Sequence, residues 1–322
     1  MTTTSYSDAM RSVLDRLQGV GYEFGPSHVN HAPMAAEAMA WLGYTDEVSD
    51  WVQANIERRR YNDPPEPRWE LSESDSAGWA AALGDFSRVS DWSTMFRRQL
   101  EIEPWTDVLS RWWPRLLPGI SGAIMHGVIR TAHAVRALAN VSGDAALQRG
   151  ELAQALGYWA ARYSGGPVKD EGQKRAGTKS PSADIGAESV VALQALDHLV
   201  AESAGAYASV AQSFPVPLIH AITGPAAVRL LCDNLPPDHH RASYGAATRC
   251  SSNIRSQFEH GERTEQLAIA GPGDVVAAAI DLGDEHAIKL AEVAVRYYKL
   301  SADERYLAAS MSATAQITRF PS

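Results

Sequence analysis

Apolar residues return along this chain at helical spacing, and no stretch alternates apolar with polar residues as a half-buried strand must. Met10, Val13, Leu14 and Leu17 follow the i, i+3, i+4, i+7 rule behind Ser7, the expected N-cap, and Gly19 and Gly21 end that helix. A second helix is expected after Pro33, with Met34, Ala38, Met39 and Leu42 on one side and Gly43 as its stop. Further helices are expected at 79–83, 91–100, 118–140, 151–163, 190–206, 225–231, 274–280 and 285–300. Pro64-Pro65-Glu66-Pro67 is a break, and the Gly-, Lys-, Ser- and Pro-rich stretch at about 165–185 reads as a surface loop or lid. The expected architecture is all-α: a single multi-helix domain over 1–322, with a central His-lined pocket.

Composition narrows the classes. With 45% hydrophobic and 21% charged residues the chain is an ordinary globule, and its nine tryptophans supply material for a deep core or an aromatic-lined pocket. A net charge of −9 argues against nucleic acid as a partner, because no basic face displaces counterions from phosphates. The short run Arg58-Arg59-Arg60 reads as a solvated helix end. Two cysteines are too few for a disulfide framework, no signal segment is evident, and charges or prolines interrupt each apolar run before about 20 residues, so a cytoplasmic protein without a membrane partner is expected.

Against this background five histidines stand out: His31, His126, His133, His220 and His286. Imidazole suits first-row transition metals, and separated helices that each offer one or two ligands can converge on one buried ion. His126 and His133 are seven residues apart and fall within about 20° of each other on a helix, so both point from one face. Gly119 and Gly122 lie on that same side and are expected to leave space for a cavity. Pro215 and Pro217 make an extended approach to His220, which is expected at or just before a helix start. His28, His198, His239, His240 and His260 are expected to face solvent or cap loops.

Several metal classes are excluded by pattern. No histidine has Glu three positions before it, as a carboxylate-bridged diiron bundle requires, and His-Glu-x-x-His is absent. Two scattered cysteines do not make a thiolate zinc site or an iron–sulfur cluster. No dinucleotide fingerprint or Walker A sequence occurs, and Gly19-Val20-Gly21 and Gly271-Pro272-Gly273 are turn glycines.

Four patches, in order, resemble the questin oxidase-like family: Asn30-His31-Ala32-Pro33 before an Ala-rich helix ending in Leu42-Gly43, His126-Gly127-x-Ile129-Arg130-x-Ala132-His133-Ala134, His220 before an Ala/Leu-rich segment, and Asp284-Glu285-His286-x-Ile288-Lys289. The resemblance implies an α-helical oxygenase that opens anthraquinone-like rings of aromatic polyketides with O₂ and a non-haem iron, Fe(II). It places the family's histidine patches on His31, His126, His133, His220 and His286. NADPH is a conceivable co-substrate, although no fingerprint provides for it.

Chemistry adds further expectations. Ring cleavage by O₂ is spin-forbidden for a closed-shell substrate, and ferrous iron held by neutral imidazoles removes that restriction. Four histidines leave the iron's 2+ charge intact, so an anionic ligand is favoured, and Lys289, three residues after His286, could provide one if carbon dioxide carboxylated its amine. The ordinary alternative is a surface pair with Glu285. His133 is either a ligand or a catalytic residue hydrogen-bonded beside the ligands, and Arg130 either holds a substrate phenolate or makes a buried structural ion pair. Two other functions stay open: a zinc- or iron-dependent hydrolase, and a non-catalytic helical binding protein.

Overall fold

The computed structural model describes residues 4–165, 182–210, 214–262 and 271–319, and these form an all-α, multi-helix domain. In chain order the helices are α1 (Tyr6–Arg16), α2 (Ala32–Trp41), α3 (Val48–Arg58), α4 (Ser76–Ala82), α5 (Val89–Ile102), α6 (Trp105–Leu116), α7 (His126–Ala139), α8 (Ala146–Ala161), α9 (Ser182–Ala208), α10 (Pro215–Cys232), α11 (His240–Phe258), α12 (Pro272–Leu282), α13 (Glu285–Ser301) and α14 (Arg305–Arg319). Among the described residues the paired strands are the two-residue β1 (Glu23–Phe24) and β2 (His28–Val29), which make an antiparallel hairpin just before α2. Most of the loop expected at about 165–185 lies outside the described residues, and from Ser182 the chain already belongs to α9.

The expected helix at 118–140 is corrected. Leu117–Gly119 is a short 3-10 turn, Gly122–Met125 is a left-handed turn, and α7 begins only at His126. Ala123, Ile124 and Met125 all have positive φ, which sets the new helix on a different course. Close packing leaves little choice: a Cβ on Gly119 would strike the Tyr163 ring, and one on Gly122 would lie 1.7 Å from the Arg162 carbonyl oxygen. These glycines admit a neighbouring backbone and open no cavity. The first N-cap is Ser5, whose side chain accepts from the Asp8 N–H, in place of Ser7.

α10 corrects a second expectation. Pro215 and Pro217 sit in its first turn, where a backbone N–H has no intrahelical partner to lose, so the helix starts before His220 and runs through Pro225. Pro225 cannot donate to the Ala221 carbonyl, and Ser251 Oγ of α11 donates to it instead, at 3.0 Å. By length and composition alone α10 could cross a membrane, but 78% of it is buried inside the domain. It packs against α7, α9, α11 and α13.

The tryptophans build core. Trp112 meets Trp79, Trp92 and Phe96 edge-on at centroid distances of 5.4, 5.8 and 5.0 Å, with its N–H donated to Gln99. A second apolar cluster joins α1, α2 and α3, and Ala137 and Ile288 carry it to α7 and α13.

α1, α2, α7 and α13 also share a buried charge network. Arg136 of α7 donates to Glu37 of α2 and to Glu292 of α13. Glu37 also accepts from Tyr6 of α1 at 2.6 Å and lies 2.6 Å from His133 Nδ1, while Arg296 donates to Glu292 at 2.9 Å. Burial alone would raise both carboxyls, but Arg136 and the neighbouring basic groups hold each at about 2.

Arg136→Met should therefore lower the unfolding free energy by about 3–5 kcal/mol in urea titrations at neutral pH, since two carboxylates stay buried without their counter-charge. Depressed carboxyl values mean that the pairing stabilises fully above the ordinary value of 4.5 and is lost as pH falls toward about 2. The gap between the parent protein and Arg136→Met should accordingly shrink when the titration is repeated near pH 2.

Candidate metal centre

Each of four histidines is aimed by a local device, three at the start of a helix and one in a second turn. His31 is the N-cap residue of α2, and the preceding Asn30 ties the segment down by donating to Gly21 O at 2.8 Å and accepting from Ala32 N at 3.0 Å. His126 is the first residue of α7, directly after three residues in the left-handed region, each costing about 1–2 kcal/mol for a side chain with a Cβ. That strained turn delivers the Ala123 carbonyl to His126 Nδ1. His220 lies in the second turn of α10, with its Nδ1 3.0 Å from the Val216 carbonyl oxygen. His286 is the second residue of α13, behind the N-cap Asp284, whose carboxylate accepts from the backbone N–H of both His286 and Ala287.

The four side chains converge. Each offers a ring nitrogen, and these atoms all lie within 4.8 Å of one another in fully buried surroundings. His126 Nε2 stands 2.8 Å from His31 Nε2 and 3.0 Å from His220 Nε2. His286 completes the group, its ring centroid 4.5 Å from that of His31 and 5.3 Å from that of His220.

Proton bookkeeping shows why this arrangement suits a cation. Burial, with the nearby Lys289 charge, pushes His31 and His126 well below the usual histidine value; burial with the neighbouring imidazoles does the same for His220, and His286 is also lowered. The rings are therefore neutral, with one N–H each. In His126 and His220 a backbone carbonyl faces Nδ1 and fixes the proton there, so each Nε2 carries a lone pair. Two lone pairs then face each other across 3.0 Å with no proton between them. A metal ion removes that repulsion.

The spacing also suits coordination. Two metal–nitrogen bonds of ~2.1 Å at a right angle put their nitrogens ~3.0 Å apart, against ~3.4 Å at the tetrahedral angle. The observed 2.8 and 3.0 Å lie near the right-angle value. His286 Nδ1 stands 3.6 Å from the Asp284 carboxylate, an acidic neighbour that favours a proton on that nitrogen.

His133 lies outside the four-histidine group. Sharing a face with His126 does not mean sharing a point, because seven residues of α-helix separate the two by ~10 Å along the axis. His133 Nδ1 meets Glu37 instead. Arg130 makes the buried structural pair: Nε and Nη2 lie 2.6 and 2.8 Å from the two Glu151 oxygens, committing the guanidinium to α8. Lys289 is not on the surface and makes no pair with Glu285, which is held by Asn55 at 2.8 Å and by Arg58 and Arg59 at the end of α3. The basic run at that helix end is thus partly committed to α13. Lys289 Nζ is buried with no hydrogen bond, and burial pushes it down to about 8 against the pull of Glu285 and Asp284. Among the remaining histidines, His28, His198 and His260 are exposed and His239 is half-buried. His240 is buried, bracketed by Ser189 Oγ and the Cys232 carbonyl.

Glu37, which anchors His133 and Arg136, and Tyr6, which donates to it, have no signature in the sequence; a lone Glu among the alanines of an apolar helix face is the one available signal. Neither protein-family models nor curated proteins match this chain.

Metal content should follow the geometry. His126→Ala and His220→Ala should lose stoichiometric metal by elemental analysis with far-ultraviolet circular dichroism unchanged. His133→Ala should retain the metal while costing about 1–3 kcal/mol of stability, because Glu37 loses a partner.

Proposed function

We propose that this chain is a metal-dependent oxygenase that opens a ring of an aromatic polyketide or quinone of the anthraquinone type, with His31, His126, His220 and His286 as ligands of Fe(II). The observation that carries the metal reading is the pair of facing, unprotonated Nε2 atoms of His126 and His220 at 3.0 Å. The ordered patches resembling the questin oxidase-like family support the oxygenase reading. When bound, ferrous iron supplies the one-electron chemistry that lets ground-state dioxygen react with a closed-shell ring.

The chain's own residues prepare the rest. Backbone carbonyls of Ala123 and Val216 hold the Nδ1 protons of His126 and His220, so both rings present lone pairs without losing a proton first. The starts of α2, α7 and α13 meet at the site, and their partial positive charge favours an anion there, such as a substrate phenolate. Lys289, buried without a hydrogen bond three residues after His286, fits this environment as the carbamate formed when its neutral amine adds to carbon dioxide and releases a proton, and the anionic oxygen would offset the 2+ charge that four neutral imidazoles leave on iron. If both atoms of dioxygen enter the product, ring opening balances without a reductant; if one enters, two electrons must come from a donor such as NADPH.

Protein purified without chelators should contain one iron per chain and consume O₂ with an anthraquinone substrate, and ¹⁸O₂ labelling with a parallel NADPH assay should give the electron count. Stoichiometric zinc with no oxygen uptake would point to a hydrolase; no metal at all would overturn the reading. Lys289→Met should weaken iron binding at least tenfold in competition titrations, and Lys289→Glu, which restores a carboxylate, should recover part of that loss.

A further inference from the structure

Lys289 combines two properties that ordinarily exclude each other. It is 1% exposed, yet it lines a cleft that opens to the surface between α7, α10 and α13. Exposure rises in order along the walls: on α13 from Lys289 and Glu292 to Arg296, and on α10 from Thr223 to Ala227 and then Leu230. The mouth therefore lies at the Arg296 and Leu230 end, and Lys289 at the deep end. Along its length the cleft is bordered by Ala132, Thr223 and Ala227, where side chains of ordinary core size would close it. The free space inside holds about one water-sized molecule.

The rim is fixed. Arg296 is tied to Glu292 at 2.9 Å, and His133, which also borders the cleft, is held by Glu37 at 2.6 Å. Glu37 and Glu292 are in turn joined by Arg136, so the network that fastens the helices also sets the width of the opening. At the far end Lys289 Nζ is a buried nitrogen with no partner.

We propose that this cleft is a size-selective passage admitting small uncharged molecules of two or three heavy atoms, the class of dioxygen and carbon dioxide, from solvent to Lys289 beside the four histidines. An ion would have to shed its water in an opening one molecule wide, at a cost of several kcal/mol. An uncharged di- or triatomic molecule carries no such penalty. The inference rests on the metal-centre reading only for what the visitor does on arrival; the passage itself is a property of the three helices.

The test needs no metal. The full-length apoprotein, in carbonate-free buffer so that any carbamate has dissociated, is treated with cyanate, whose neutral form, isocyanic acid, is linear and has three heavy atoms. It adds to the amine, forming a nitrogen–carbon bond while the amine proton moves to the isocyanate nitrogen. Peptide mass spectrometry follows Lys289 and the exposed Lys299 as internal control. The expected result is that isocyanic acid labels Lys289 while bulky trinitrobenzenesulfonate labels Lys299 but not Lys289, and that Ala227→Phe slows Lys289 labelling at least tenfold with Lys299 unchanged. Lys289 unreactive toward isocyanic acid, equally reactive toward both reagents, or unaffected by Ala227→Phe in folded protein would each overturn the proposal. If that variant does not fold, the two-reagent comparison in the unaltered protein decides alone. Metal analysis of the same preparation reports separately on the four-histidine centre.

Discussion

Arg136, held between Glu37 and Glu292, is the contact on which the rest of the domain depends. It joins α2, α7 and α13 through one guanidinium, and Tyr6 adds α1. Three of these helices carry His31, His126 and His286 at or next to their first residues. A buried ion pair is a poor source of net stability, because removing both partners from water cancels much of their attraction. Its value lies in geometry: a charge that can be satisfied in one arrangement only fixes the relative rotation and slide of the helices that bear it, and thereby where their starting residues meet.

At that meeting point, electrostatics select the state of the site. Burial keeps the imidazoles neutral, and two backbone carbonyls decide which nitrogen carries the proton. A buried amine without a partner and two lone pairs in contact are both unfavourable for the protein alone. So are three successive left-handed residues before His126. Unfavourable features gathered at one place, with a well-satisfied network beside them, are the mark of a site shaped for a visitor rather than for stability.

Much of this was legible beforehand, for identifiable reasons. Helical periodicity predicted the class of fold, since strands would have required alternation that the chain lacks. His31, His126, His220 and His286 stood out because imidazoles beside prolines, glycines and helix starts are uncommon in apolar surroundings. His133 misled because angular position on a helix is periodic and axial position is not: it returns to the face of His126 two turns away, where Glu37 rather than another imidazole waits. Gly119 and Gly122 misled because a missing side chain admits either a cavity or a neighbouring backbone, and only the packing of the 162–164 segment chooses between them. Pro215 and Pro217 suggest an extended approach and Pro225 a helix start, yet a first turn needs no N–H and Ser251 supplies the hydrogen bond that Pro225 cannot, so one helix runs through all three.

Sequence by itself determined the helical character of the chain, the acidic, apolar composition and the set of imidazoles available for a common site, because these depend on residue type and on spacing within one helix. Tertiary structure alone decided which imidazoles meet, which protons they keep, that Arg130 pairs with Glu151, and that Lys289 is buried at the end of a cleft. Those outcomes depend on distances between residues about 20 to more than 150 positions apart, and such distances are set by packing, which no local pattern encodes.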